Sequence, residues 1–218
     1  EKHRVGALFL YNQKIHTKTQ AGDSSSSLPY KNQGIAGRVT YAFKDTYFAE
    51  VNVGYNGSEN FARGHRFGFF PAVAAGWMVS HEKWFEPFTK TVDMLKLKGS
   101  YGKVGNDDIG GQRRWVYEST IVNSSDSWYY GKNGNDGGQG IRIGEVENLN
   151  ASWEEALKLN VGVEFSLFNK VKVQADYFRE ERTGIFLQRA GLPAIVGLST
   201  TPYVNVGETL NQGRSEER

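Results

Sequence analysis

Apolar and polar residues alternate with a period of two along much of this chain, and the stretch Ala49–Trp77 sets the pattern. Phe48, Glu50, Asn52 and Gly54 point one way, and Ala49, Val51, Val53 and Tyr55 the other. A strand shows this alternation when one face meets an apolar medium and the other meets water. Asn56-Gly57 is expected to break that strand, because both residues tolerate positive φ. A polar loop then carries Arg63, His65 and Arg66 beside Phe61, Phe67, Phe69 and Phe70. Pro71 is expected to open the return strand, where no ladder donor is required. Val73, Ala75, Trp77 and Val79 share a face of it, to about Ser80.

The same signal recurs on both sides. Val5–Tyr11 reads as a strand, Ile15–Tyr30 as a polar loop with four consecutive serines, and Gln33–Phe43 as the next strand. Lys44-Asp45 is a short turn into Thr46–Tyr55. His81–Met94 loses the alternation and reads as a turn with one helical turn closed by Pro87. Leu95–Lys103 resumes it. Between Gly105 and Asn150 the signal weakens: Trp115–Val122 and Trp128–Tyr130 are candidate strands, and Gly131–Gly140 is expected to be a long flexible loop. Trp153–Leu167 has the cleanest period, with Trp153, Leu157, Leu159, Val161, Val163, Phe165 and Leu167 against Lys158, Asn160, Gly162, Glu164 and Ser166. Asn169-Lys170 turns the chain into Val171–Phe178. Leu187–Pro202 is another loop, and Tyr203–Gly213 begins an element that is not completed, before a charged tail in which no strand is expected. The repeating unit is the hairpin, with tight turns at one end and long loops at the other, the asymmetry of an outer-membrane barrel.

Composition narrows the class. The chain has 218 residues, 26 glycines, 5 prolines and no cysteine, which rules out disulfides, thiolate metal sites and a cysteine nucleophile. No run of about 20 apolar residues exists, so spanning helices are excluded, whereas a barrel hides its apolar residues at alternate positions. Net charge is +2 from 26 basic and 24 acidic side chains, with no basic block to track a phosphate backbone, so no nucleic-acid partner is expected. The first residues lack the apolar core of a signal peptide.

These motifs also carry a resemblance. Gly54-Tyr55-Asn56-Gly57-Ser58, Phe61, Gly64, Arg66, Gly68, Phe70-Pro71 and Gly76-Trp77 resemble the barrel of SusC/RagA-type TonB-dependent outer-membrane transporters, the nutrient importers of Bacteroidetes. Leu95–Gly102 with Gly105-Asn106 is similar to a further strand of that barrel. Asn148-Leu149-Asn150 with Trp153-Glu154 and Asn160-Val161-Gly162 is similar to the family's Asn-x-x-Leu-x-Trp-Glu segment, Asp176-Tyr177-Phe178 with Thr183-Gly184-Ile185 resembles the next strand, and Asn205-Val206-Gly207-Glu208 with Asn211-Gln212-Gly213 resembles the short turn that follows.

The resemblance implies an all-β, antiparallel up-and-down transmembrane β-barrel segment, part of a barrel of about 22 strands, with roughly eight to ten of them here. Residues 1–218 would form one partial barrel domain from the later half, with plug domain, TonB box and final barrel strands outside it. It implies active import of oligosaccharides or oligopeptides across the outer membrane, with a SusD-like surface lipoprotein and TonB as partners and outer-membrane lipid as surroundings. No cofactor and no catalysis are implied. Lys96, Lys98, Lys158, Asn160 and Glu164 would then line a wet interior, opposite a lipid-facing stripe that includes Leu159, Val161 and Val163.

Candidate chemistry is sparse. Arg63, His65, Arg66 and Phe67 form the most site-like surface, since aromatic faces and guanidinium forks suit sugars or peptide carboxylates; the plain alternative is a loop packed on its neighbours. Trp77, Trp84, Trp153, Tyr101 and Tyr177 suit interfacial girdles, or ordinary packing in a soluble barrel. Asp107-Asp108 and Asn133–Asp136 lack calcium-loop spacing. His3, His16, His65 and His81 lack zinc spacing. Glu154 and Glu155 are adjacent on a strand and so face opposite ways, which prevents a paired acid and base. No Gly-x-Ser-x-Gly elbow or phosphate loop occurs. Two rivals stand beside the transporter: a soluble β-sandwich carbohydrate-binding module, which favours strands of about five to six residues, and an outer-membrane hydrolase, which needs a convergent nucleophile and base.

Overall fold

The computed structural model describes residues 2–17, 27–110, 113–134, 136–168, 170–189, 191, 193, 195 and 200–217. Among them are ten strands and two short 3-10 turns. The strands are β1 (His3–His16), β2 (Tyr30–Phe43), β3 (Tyr47–Ser58), β4 (Phe67–Met78), β5 (Val92–Asn106), β6 (Ile121–Tyr130), β7 (Asp136–Ile143), β8 (Glu154–Leu167), β9 (Val171–Gln188) and β10 (Tyr203–Glu217). Eight of them form one antiparallel sheet in the order β1-β2-β3-β4-β5-β8-β9-β10. Strands β6 and β7 pair only with each other, as a ribbon inside the β5–β8 connection. The meander order, with every strand beside its neighbour in sequence apart from that insertion, is the expected up-and-down architecture.

Each end of the wall has its own kind of connection. At one end lie the turn at 44–46, the 3-10 turns Val79–His81 and Lys83–Phe88, and the connection from β8 to β9, where Lys170 N–H donates to the Leu167 carbonyl. Lys44 and Asp45 both adopt positive φ in a turn closed by Thr46 N–H to the Phe43 carbonyl. This is the primed geometry that matches strand twist. Phe168 takes positive φ in the turn before β9; Asn169 lies outside the described residues. At the other end, the mouth, are the described residues of the connections β1–β2, β3–β4, β5–β8 and β9–β10.

Several boundaries differ from the sequence reading. Asn56-Gly57 does not end β3, because Gly57 pairs with Phe67 and the Phe67 ring lies where a Gly57 side chain would be, 2.5 Å from the Cβ position. The aromatic ring covers the glycine, and the turn falls later, with Gly64 at φ 100°. Pro71 therefore sits inside β4 opposite Val53, while pairing of β4 with β5 begins at Ala72. The ladder to β5 stops beside the ring that has no N–H.

Val79 and Ser80 leave the strand for a 3-10 turn. Trp115 lies outside any strand. Gly131–Gly140 is not a loop throughout: residues from Asp136 onward form β7, with glycines paired opposite Trp128 and Tyr129. Strand β9 runs past its predicted end, and the residues from Asn205 to Gly213, expected to form a short turn, lie instead within β10, whose charged tail pairs with β9 through Arg214–Tyr177 to Glu217–Gln174. Beyond Tyr177, Arg179 and Glu181 replace apolar residues on the outer face, so periodicity falls silent while the backbone ladder continues.

Candidate functional site

The register places the even-numbered lumenal residues and the odd-numbered outer residues of the first five strands on opposite faces of one wall. Outward rows run without interruption, as in Val39–Val51–Val73–Tyr101–Leu159. Their side chains are open to the surroundings: Val161 is 52% exposed and Val73 51%. The opposite face carries charge and is the better covered of the two. Lys98 Nζ lies 2.8 Å from Glu164 Oε1 and 3.1 Å from Asp176 Oδ1, and the Asp176 side chain is only 14% exposed. Lys96 approaches the same Glu164 at 3.7 Å. Nearer the mouth, Arg182 bridges Glu154 at 2.9 Å and Glu180 at 2.7 Å, and Lys158 reaches Glu180 at 3.3 Å. Gly162 makes room for the first of these groups, since a Cβ there would lie 2.0 Å from Asp176 Oδ1 and 2.6 Å from Lys98 Cε. Toward the short-turn end the same face forms a concavity of about 620 Å³, with Ala42, Phe48, Ala74 and Met78 beside Glu50 and Lys96.

Both margins of the outer stripe are aromatic. At the short-turn end His3, Phe43, Tyr47 and Trp77 follow one another across β1–β4, with ring centroids 4.9 to 6.4 Å apart. Glu82 accepts hydrogen bonds from the Tyr47 hydroxyl and, at 3.2 Å, from Trp77 Nε1. These bonds hold its carboxyl below the usual glutamate range, the Tyr47 bond contributing most. At the mouth margin Tyr11, Ile35, Tyr55 and Phe69 share a row.

This upper margin then descends across the sheet. It passes to the Val73–Tyr101 row, four residues along β4, and to the Val161–Tyr177 row, two more along β8. Six residues at ~3.3 Å against six strand-to-strand steps at ~4.8 Å give a strand tilt of about 35°. Transmembrane barrels tilt their strands by ~35–45°. Tyr47 to Tyr55 spans about 27 Å along the strand at ~3.4 Å per residue, or about 22 Å of height after tilt, near the ~25 Å apolar band of such barrels.

At the mouth the polarity reverses. Phe61, Phe70, Ile109, Ala151 and Trp153 form a buried cluster, flanked by Val116 and Phe186. Trp153 is 8% exposed, and its ring packs at 5.2 Å against Phe70. It is therefore not a girdle residue. Its Nε1 donates to the carbonyl of Arg66, which explains the inward placement, because a buried indole N–H needs a partner. Tyr101, Tyr177 and Trp84 are exposed and Trp77 is half-buried.

The four sequence-picked site residues are not brought to one surface. Arg63 and His65 project into solvent. Arg66 turns inward: Nε donates to the Phe61 carbonyl at 3.1 Å, and the guanidinium lies 5.8 Å from the Tyr117 ring. Phe67 faces outward, stacked on Tyr55 at 5.1 Å. Sequence reasoning passed over two other mouth arginines. Arg113 lies 3.9 Å from the Tyr203 ring and bonds Glu145. Arg114 lies 4.1 Å from the Trp115 ring, bonds the Leu28 and Pro29 carbonyls and reaches Glu59. Their partners lie 55 to 90 positions away along the chain, apart from Trp115 and Glu145, so no local spacing announced them.

Among the described residues no cluster of three metal-ligating side chains occurs. Glu154 turns to Arg182 and Glu155 to Lys103, on opposite faces as expected. Asp107 accepts from the Tyr30 hydroxyl, and Asp108 from the Gly110 N–H in a local turn.

A tilted antiparallel wall, apolar outward and charged inward between two aromatic margins, is a segment of a transmembrane β-barrel. Comparison with known proteins gives the kind of barrel. No family model matches the chain. The chain is 28% identical over 216 residues to the TonB-dependent receptor P3 of Formosa agariphila, covering 96% of this chain and 20% of that protein. It is 25% identical over 179 residues to the TonB-dependent receptor SusC of Bacteroides thetaiotaomicron, covering 81% of this chain and 17% of that one. The fold matches the RagAB peptide importer in its closed-closed state with a TM-score of 0.77 and 21% identity, over 99% of this chain and 25% of that chain. Over most of its length the chain is thus similar to TonB-dependent receptors of the SusC kind, and its fold matches the barrel of a RagA-like transporter. It spans about a fifth of the length of the curated relatives it matches.

Proposed function

We propose that this wall is part of an outer-membrane active transporter that imports oligosaccharides or oligopeptides, works with a SusD-like surface lipoprotein and draws energy through TonB. The plug and TonB box of such a machine would come from polypeptide beyond these 218 residues, which act as one barrel-wall domain. The observation that carries the reading is the inverted polarity of β5, β8 and β9, where the valine stripe is exposed and the Lys98–Glu164–Asp176 group is covered. A soluble β-sandwich would bury the valines and expose the lysines. The chain's role is transport rather than turnover, and Arg63 and His65, free at the mouth, are the substrate contacts among the four residues picked from sequence.

The absence of cysteine gives a clean test. Val161→Cys and Asn160→Cys, each introduced singly and folded into lipid vesicles, place a probe on adjacent residues of opposite face. A bilayer-dissolved quencher should silence a fluorophore at 161, and an aqueous quencher one at 160. Equal aqueous access at both positions sinks the membrane-wall reading.

A further inference from the structure

The β6–β7 ribbon is the one paired element among the described residues that adds nothing to the wall. Its two faces differ in chemistry. One carries Ile121, Ile141 and Ile143, with Tyr129 over Gly137. The other carries Trp128 and Tyr130 on β6, and Asp136, Gly138, Gly140 and Arg142 on β7. On this second face the two glycines leave the strand bare beneath the rings. A Cβ at Gly140 would lie 3.5 Å from Trp128 Nε1, and one at Gly138 would lie 3.8 Å from the Tyr130 hydroxyl. The rings rest against backbone yet stay open, Trp128 at 73% exposure and Tyr130 at 63%. Trp128 Nε1 has no hydrogen-bond partner among the described residues. Two aromatic rings about 7 Å apart on one strand are thus presented with one side supported, and Arg142 lies further along the same face.

We propose that this face is a binding platform for neutral oligosaccharide, with Trp128 and Tyr130 stacking under the C–H face of sugar rings and Arg142 donating to hydroxyls. The negative face of an aromatic ring attracts polarised C–H bonds, and it requires no charge on the ligand. Charge argues against other ligands. Residues 121–143 hold two acids, Asp126 and Asp136, and two bases, Lys132 and Arg142. A nucleic-acid or anionic-lipid surface needs net positive charge. Insertion into lipid also needs an aliphatic face, and Val122 is the sole aliphatic residue on this one. The isoleucine face opposite has the chemistry for a protein contact, which leaves the ring face free for ligand. The proposal deepens the import function by naming the ligand class at the mouth. It rests on that reading only for the side of the membrane on which the ribbon lies.

The test is calorimetric titration of the whole chain in detergent micelles with maltotetraose, cellotetraose and mannotetraose, and with tetra-alanine as the peptide probe. At least one tetrasaccharide should bind saturably. Trp128→Ala should weaken it at least tenfold, Tyr130→Ala should weaken it in the same direction, and Trp84→Phe at the far end of the wall should leave it unchanged. Having two ring variants guards against misfolding of either one. Binding of none of the three sugars, binding of tetra-alanine alone, or parent-like sugar affinity in both ring variants overturns the platform. Micellar binding does not depend on bilayer placement, so failure here and failure of the quenching test at positions 160 and 161 are separate results.

Discussion

The middle of the wall and its mouth are built from the same strands and obey opposite rules. In the middle of β4, Val73 points out and is half exposed, while the lumenal side of the neighbouring β5 holds Lys98 in ion pairs. Three residues from Val73 along the same strand, Phe70 points inward and is buried with Phe61 and Trp153. The mouth is organised like any water-soluble protein, with aromatic residues inside and arginines around them. The wall is organised for a solvent that is itself apolar. What changes along β4 is the medium outside, and the chain changes its pattern at the level where that medium ends.

The mouth cluster should respond most to a change. Trp153→Ala removes a buried ring and its bond to the Arg66 carbonyl, and such truncations cost about 3–5 kcal/mol. Amide exchange should accelerate across 107–119 and 145–153, while the β8–β9 ladder below keeps its protection. Equal acceleration in both regions would mean that mouth and wall are one cooperative unit, and the contrast between them would fail.

Next in size is a pair of substitutions one residue apart. Val161→Lys places a charge in the apolar stripe and should cost about 2–4 kcal/mol at mid-bilayer depth. Asn160→Lys, on the lumenal side, should fall within about 0.5 kcal/mol. Urea unfolding of the chain in vesicles measures both. Similar costs at 160 and 161 would erase the two-sidedness of the wall.

Much of this architecture can be read along the chain because one physical pattern, period two, writes the wall directly. Trp153–Leu167 and Leu95–Lys103 show it with little noise, and both are strands. The pattern fades wherever both faces meet water or pair by charge. Strand β9 above Tyr177 has Arg179 and Glu181 outside and Glu180 and Arg182 inside, so the alternation breaks over 179–182 although the ladder continues to Gln188. Strand β7 is disguised by glycine, which reads as loop until rings from the partner strand are known to lie over it. Trp153 misleads for another reason: it begins a periodic run as though it belonged to the outer stripe, and only the Arg66 carbonyl, 87 positions away, turns it inward. The charged lumen could be assigned to a face from sequence, but the pairing of Lys98 with both Glu164 and Asp176 depends on the register of three strands.

A smaller effect is expected inside the lumen. Gly162→Val inserts a branched side chain where a Cβ already meets Asp176 and Lys98, and overpacking of this kind costs about 1–3 kcal/mol. The cost should shrink in the double variant that also carries Asp176→Ala, since the obstructing carboxylate is gone. An undiminished cost would place the obstruction in the backbone and not in the ion-pair group.

The smallest effect lies outside the bilayer, at the short-turn end. Glu82 ties the aromatic margin to the 3-10 turn through Tyr47 and Trp77, and its carboxyl sits below the usual glutamate range because the charged form accepts both bonds. A depressed pKa stabilises the folded state at pH above the ordinary glutamate value, and that contribution drains away as pH falls through the depressed one. Trp77 emission should therefore hold steady from neutral pH down to the ordinary glutamate range and change only below it. In Glu82→Gln the amide oxygen still accepts but nothing titrates, so the acid transition should vanish while emission at neutral pH stays near the parent's. A transition that survives in Glu82→Gln would assign it to other carboxylates. The aromatic margin would then be held at that end by ring stacking alone, with the wall's outer face fixed by its surroundings and not by a polar tether.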